Sequence, residues 1–462
     1  NNEKPTDMDY QIIPHIEDLA GNKNDGITYV DGTNASQKFT VDKVQPEMNV
    51  SYYLVDSNGN RGEKIEVSTD KINRLYKNKT IRAVVKITER NFALKNGFSE
   101  ENKQVVPHFT WTNYDGNQGS VADYEKAATD STQWSTSKEV IRTQSFDFVA
   151  DGDYSFTMEY TDLAGNSLKK KYDTCYCTVD KTAPKINVEY TSDNQMVQPG
   201  EIELNRLYKN KDITATVTIE ERNFQRENNA VNFENGQMNL TYDALNFQGS
   251  KVNTENYTGT ANTRGEWSTN VYTRTKTFTF SQDANYTLGL VYRDLAGNEA
   301  VYDTRYFTVD KTAPTGSMTI EDNSGTAKTW IQWIQQVFFD IFTQSQKGVS
   351  MTSADETAGV ASTQYYKYHP DSESRHTFDG LSTQNLDSIS SWSDGYSTSV
   401  NADEQVIVYE KITDRAGNVT YINNQEGVIA DNTSPTALEI KITAAEPAQG
   451  IYNASVPFTI DV

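Results

Sequence analysis

The chain has 462 residues, which at about 100 to 200 residues per domain predicts three or four domains and not a single core. With 42 Lys and Arg against 64 Asp and Glu, the formal net charge of −22 repels phosphate backbones and anionic membranes and argues against nucleic acid as a partner. Hydrophobic residues reach only 36% while aromatics reach 11%, a balance that several small, polar-skinned domains with aromatic cores would satisfy.

Read in chain order, residues 1–11 lack the basic start, apolar stretch and small-residue cleavage site of a secretory leader, so any export signal is expected elsewhere in the gene. The string Asp-Leu-Ala-Gly-Asn at residues 18–22 then returns at 162–166 and 294–298, and as Asp-Arg-Ala-Gly-Asn at 414–418. Each copy is followed, after a strand-like stretch, by a segment ending in proline, at Pro46, Pro184, Pro314 and Pro435. A repeat of this length is read before anything else because it sets the domain count. It divides the chain into residues 1–46, the C-terminal part of a preceding unit; 47–184, unit one; 185–314, unit two; 315–435, a divergent unit three; and 436–462, the start of a following unit. Units one and two are close copies. Asn-Arg-Leu-Tyr-Lys-Asn-Lys at residues 73–79 returns at 205–211, and Glu-Arg-Asn-Phe at 89–92 returns at 221–224, both at an offset of 132.

Within the units the pattern is that of strands. Residues 81–87 alternate, and residues 278–280 and 286–292 are short β-rich runs. In Asp162-Leu-Ala-Gly165 the aspartate supplies the acceptor of a type I turn and the glycine the left-handed residue, which predicts a three-residue hairpin with a bulge. Strands over 154–160 and 169–179 should form the final antiparallel pair of unit one. The stretches 93–132 and 225–264, where units one and two differ, read as long loops between shared strands. In unit three, Trp330, Trp333, Ile334, Val337, Phe338, Ile341 and Phe342 follow i, i+3, i+4, i+7 spacing and predict one short amphipathic helix. It lacks a basic face for a membrane surface and is expected to cover an open end of its own sandwich. The fold class is therefore all-β: an antiparallel sandwich in each unit, joined through Val-Asp-Lys-Thr-Ala-Pro segments into a semi-rigid rod. No unbroken apolar run reaches about 18 residues, so membrane insertion is not expected.

Candidate sites are sparse. The four histidines, His15, His108, His369 and His376, do not recur between the near-identical units, no Gly-x-Ser-x-Gly or phosphate loop occurs, and no catalytic residue, cofactor or metal ligand is assigned. Joint acids such as Asp162 and Asp180 invite calcium, yet the joints offer too few carboxylates, and Lys181 and Lys311 stand beside them. A turn-capping role is expected instead, with melting hardly changed by EDTA. Arg90 to Phe92 should close a strand, with the phenylalanine plugging the core, and likewise residues 222–224. Cys175 and Cys177 flank Tyr176 in a predicted strand and should point to one face as two free thiols.

A unit ending in Asp-x-Ala-Gly-Asn, a last strand and Val-Asp-x-Thr-Ala-Pro resembles the bacterial immunoglobulin-like repeats of large Gram-positive surface proteins, over residues 47–435. Unit three, with residues 330–339 ahead of 353–360 and the pair Tyr365 and Tyr366, is similar to a subtype of gut Firmicute surface proteins and secreted carbohydrate-active enzymes. The resemblance implies an extracellular, wall-attached or secreted protein whose repeats act as spacers or ligand-binding modules. The expected function is a non-enzymatic stalk or adhesive segment. The alternatives are a specific binder of a host protein, immunoglobulin among them, or of a host glycan, and an accessory region of an extracellular carbohydrate-active enzyme.

Overall fold

The computed structural model describes residues 8–24, 37–92, 104–113, 115–138, 140–223, 237–268, 272–321, 325–370, 378–434, 439–442 and 458–461. The chain is a series of immunoglobulin-like β-sandwiches. In unit one a five-stranded sheet runs in the order Ser135–Lys138, Ile141–Phe148, Ile81–Thr88, Glu47–Val55, Arg61–Ile65. It packs on a four-stranded sheet in the order Leu75–Lys77, Cys175–Val179, Gly152–Tyr160, Val105–Thr112. The alternation read at residues 81–87 is what drives this: Ile81, Ala83, Val85 and Ile87 point inward and meet Phe146, Phe148, Tyr154 and Phe156 in one core. Among the described residues all pairings in this unit are antiparallel save that of Leu75–Lys77 with the last strand.

Unit two repeats the plan. Gln195–Val197, Lys185–Ser192, Ile213–Glu220 and Thr273–Phe280 form one sheet, and Leu207–Lys209, Glu299–Val309, Ala284–Arg293 and Met238–Leu245 the other. The predicted hairpin turns are present: Gly165 and Gly297 have φ of +90° and +95°, and each donates its N–H to the aspartate three residues earlier. The final pair of unit one also forms, Gly152–Tyr160 with Cys175–Val179, although the second strand starts at Cys175 and not at residue 169.

Two expectations are corrected. The stretches 93–132 and 225–264 are not loops throughout. Each holds an edge strand, Val105–Thr112 or Met238–Leu245, and a short helix, Ala122–Thr129 or Tyr257–Asn262. Pro107 hid the first of these strands, and a proline without a ladder N–H is tolerated on an edge strand. Each helix ends under an indole, the Nε1–H of Trp134 and Trp267 donating to the carbonyls of Ala128 and Ala261 at 3.0 and 2.9 Å.

The second correction is in unit three. No helix covers residues 330–342: Ala327–Trp330 and Gln336–Thr343 are strands. Val337, Phe339 and Ile341 face the core while Phe338 and Phe342 face out, a period of two. Apolar residues stand on both faces of this strand, so a helical stripe could be drawn through it although the backbone alternates. Among its described residues unit three carries a short helix elsewhere, Thr383–Ser388, capped by the Ser382 hydroxyl. Its sheets are Ala327–Trp330, Thr315–Glu321, Lys347–Ala354, Ser397–Val400, and a larger one centred on Glu404–Asp414, which pairs with Val360–Tyr368, Val419–Asn423 and Glu426–Ala430. Gln336–Thr343 joins this sheet in parallel with Glu426–Ala430. Among the described residues no helix is long and apolar enough to cross a membrane.

Candidate functional site

The recurring strings meet at the joints. Asp162 at the turn of unit one does not face Asp180 at that unit's far end; it meets Asp42, the joint residue before the unit, together with Glu89. Asp180 meets Glu221 and Asp294, and Asp310 meets Asp355 and Asp414. In each trio the carboxylate oxygens lie within 4.8 Å of one another, and seven of the nine residues are buried, all but Asp42 and Asp355.

Strand ends position them. Asp180 follows the last strand of unit one, whereas Glu221 and Asp294 close two strands of opposite sheets in unit two, Ile213–Glu220 and Ala284–Arg293. Both strands run toward the pole that faces unit one, so the trio spans the joint. The motif asparagine ties the arrangement. Asn298 donates one amide hydrogen to Asp294 Oδ2 at 2.7 Å and the other to the Asp180 carbonyl at 2.8 Å. Asn418 does the same to Asp414 and Asp310, at 2.7 and 2.8 Å, and Asn166 to Asp162 and Asp42, at 2.9 and 3.3 Å. This explains why Asp and Asn recur together at that spacing.

The electrostatics are those of like charges taken out of water. Burial pushes the Glu221 carboxyl up to about 8, with Asp180 and Asp294 adding to the effect. Asp310 is raised to about 7 by burial and then by Asp355 and Asp414, and burial raises Asp294 against the pull of its hydrogen bonds. The joint lysines turn away. Lys181 Nζ donates to Thr80 Oγ1 and the Val149 carbonyl, and Lys311 Nζ to the Ser281 carbonyl and Asp212, all in the preceding unit.

Further contacts close each joint. Arg222 of unit two approaches Asp153 of unit one at 3.7 Å. Between units two and three, Phe247 N–H donates to the Glu356 carbonyl at 2.7 Å, Asn285 Nδ2 to that of Thr357 at 2.8 Å, and the Arg415 guanidinium lies over the rings of Tyr208 and Phe247. A groove of about 520 Å³ runs along this joint, lined by Leu204, Arg206, Tyr208, Phe247 and Arg415 among others.

The other expected residues stay apart. His15, His108 and His369 are exposed and distant in the fold, and His376 lies outside the described residues. Cys175 and Cys177 are free thiols on one buried face, with Cys175 Sγ 2.9 Å from the Tyr172 hydroxyl, and burial pushes the Cys177 thiol up. Phe92 does plug its core, stacked on Tyr160, while Phe224 lies outside the described residues. Sequence reasoning missed Glu89, Glu221 and Asp355. The signal was available for the first two, since Glu89 to Glu221 and Asp162 to Asp294 share the offset of 132.

No protein-family model matches the chain, and no curated protein matches it in sequence. Among solved structures the chain is similar to the Escherichia coli adhesin FdeC, at 9% identity and a TM-score of 0.25, over 82% of this chain and 99% of that one. It is also similar to SGBP-B of the Bacteroides ovatus mixed-linkage glucan utilization locus, solved with a mixed-linkage heptasaccharide, at 12% identity and a TM-score of 0.12 over 90% and 92%. The fold class rests on the sheets described above.

Proposed function

We propose that the chain is a non-enzymatic stalk or adhesive segment of a bacterial cell-surface or secreted protein. One observation carries this reading: the Asp–Asn connection recurs at three successive joints while the sheets between them vary. Repetition that preserves the connection more than the body suits a chain whose task is to hold units in line. Small-angle scattering of the full chain tests it. An elongated particle whose long dimension matches units placed end to end supports the reading, and a compact particle with units folded back on one another overturns it.

A second reading, binding of a host protein such as immunoglobulin or of a glycan, is favoured by the groove between units two and three, where exposed Leu204 and Phe247 lie beside arginine side chains. The stretches 93–132 and 225–264 offer a separate place for recognition. If they carry it, a ligand found by screening serum proteins and glycans will distinguish units one and two, and exchanging the stretches within the full chain will move the binding. Binding unaffected by the exchange would move the site elsewhere, the groove being the next to test with Phe247→Ala.

A further inference from the structure

The groove between units two and three holds a guanidinium that lacks an anion. Where units one and two carry Leu163 and Leu295 in the turn string, unit three carries Arg415, which is exposed. Its guanidinium lies 5.9 and 5.7 Å from the ring centroids of Tyr208 and Phe247 and donates to the Ala358 carbonyl at 3.4 Å. Among the described residues it forms no ion pair, in a chain with 64 acids to 42 bases. The other arginine of the groove, Arg206, is buried and engaged, donating to the carbonyls of Tyr286 and Phe307 at 2.9 and 3.0 Å and to Glu203 at 3.4 Å. Glu203 is the one acid on the described wall, so two arginines against one glutamate leave the groove net positive on a strongly acidic molecule.

We propose that this groove binds a sugar that carries a carboxylate, a sialic or uronic acid unit, with the Arg415 guanidinium holding the carboxylate. The proposal rests on the binding reading of the groove and names what is bound. A guanidinium presents a planar fork of donors that matches a carboxylate in two parallel hydrogen bonds, which a neutral sugar cannot return. A volume of about 520 Å³ falls within the roughly 300 to 1,000 Å³ of small-ligand sites and suits a few sugar units, not a protein surface. Phe247, 49% exposed, offers an apolar ring to the C–H face of a sugar. Asn246 Oδ1 accepts the Ser250 N–H at 2.8 Å, which leaves its amide hydrogens for hydroxyl groups. Neither unit holds the site alone. The Phe247 N–H donates to the Glu356 carbonyl at 2.7 Å, and its ring seats on Gly359, where a Cβ would come within 2.4 Å of it. At the joint before, Leu295 stands where Arg415 does, so no matching cation is expected there.

The test is saturation-transfer NMR and calorimetric titration of the full chain with the methyl glycosides of N-acetylneuraminic acid and of glucuronic acid, with methyl glucoside as the uncharged control. One of the two acids should bind with a Kd of about 1 mM or tighter, which identifies the sugar, and the control should bind at least about tenfold more weakly. Arg415→Leu gives unit three the residue of the other two turns and should abolish binding of the acid. Asn246→Asp is the second variant, should the first disturb the joint. Aspartate serves the same turn at Asp56, accepting from Asn58 and Asn60 N–H, so the fold is kept while a carboxylate enters the groove and weakens binding of the acid by about tenfold or more. Equal binding of methyl glucoside, binding unchanged in both variants, or no binding of either acid at about 10 mM would overturn the proposal. A screened protein held through Phe247 with no sugar bound would overturn it too and leave the binding reading standing, whereas failure of both screens would remove that reading as well.

Discussion

Units two and three differ through their bodies and agree at their poles. Unit two pairs two four-stranded sheets, whereas unit three gathers most of its strands into one large sheet beside a small one. At the poles the asparagine contacts agree to within 0.1 Å: Asn298 and Asn418 each lie 2.7 Å from their turn aspartate and 2.8 Å from the joint carbonyl. Where unit two places Glu221, unit three has Asp355, one methylene shorter. The shorter side chain folds onto its own turn, accepting from Thr357 and Gly359 N–H at 3.0 and 2.7 Å, and still reaches the trio. The comparison teaches that strand number and order are free to drift so long as three strand ends arrive at the same pole.

The sharpest way to break this account lies in the body of unit three. Phe339 is 4% exposed and Phe338 53%, an assignment that holds only if residues 336–343 are a strand. Phe339→Ala should cost about 3 to 5 kcal/mol in chemical denaturation, and Phe338→Ala should stay within about 0.5 kcal/mol. The reverse ranking would restore the helix.

A smaller and equal effect is expected at the two poles. Gly297 and Gly417 have φ of +95° and +92° with open space around them, so valine at either position meets backbone strain and not a clash. Each substitution should lower stability by roughly 1 to 3 kcal/mol. A loss in one unit alone would show that the shared turn is not equally needed.

The smallest effect separates the units by pH. Glu410, in the middle strand of unit three, faces Tyr365 and Ile422 across its ladders, and neither of its carboxylate oxygens has a partner. Burial pushes its carboxyl from an ordinary 4.5 to about 8. Between those values the folded chain holds a proton that the unfolded chain has released, so stability is fully present below about pH 4.5 and falls as pH rises toward 8. Glu410→Gln should flatten that slope and, at pH 8, raise the stability of unit three by about 1 to 2 kcal/mol. A slope unchanged in the variant would place the titration elsewhere.

Much of the fold was legible because it is written locally. The alternation over residues 81–87, the left-handed glycines of the turns and the shared face of Cys175 and Cys177 all depend on neighbours within a few residues. Two kinds of feature were not. Strand Gln336–Thr343 has apolar residues on both faces, so its period is ambiguous until the partner strand is known. The trios join residues more than a hundred positions apart, and Glu-Arg-Asn-Phe drew attention to its phenylalanine when the glutamate was the residue that reaches the joint.

The parallel pairing near the end of each unit has a mechanical consequence. Tension along the chain draws the two strands of such a pair past each other, so their hydrogen bonds are loaded in shear and must fail together, unlike a hairpin that unzips one bond at a time. Leu75–Lys77 and Leu207–Lys209 each engage the last strand of their unit over three residue pairs, while Gln336–Thr343 engages Glu426–Ala430 over five. Among the three whole units the longest such clamp is therefore that of unit three, and units one and two are expected to yield before it.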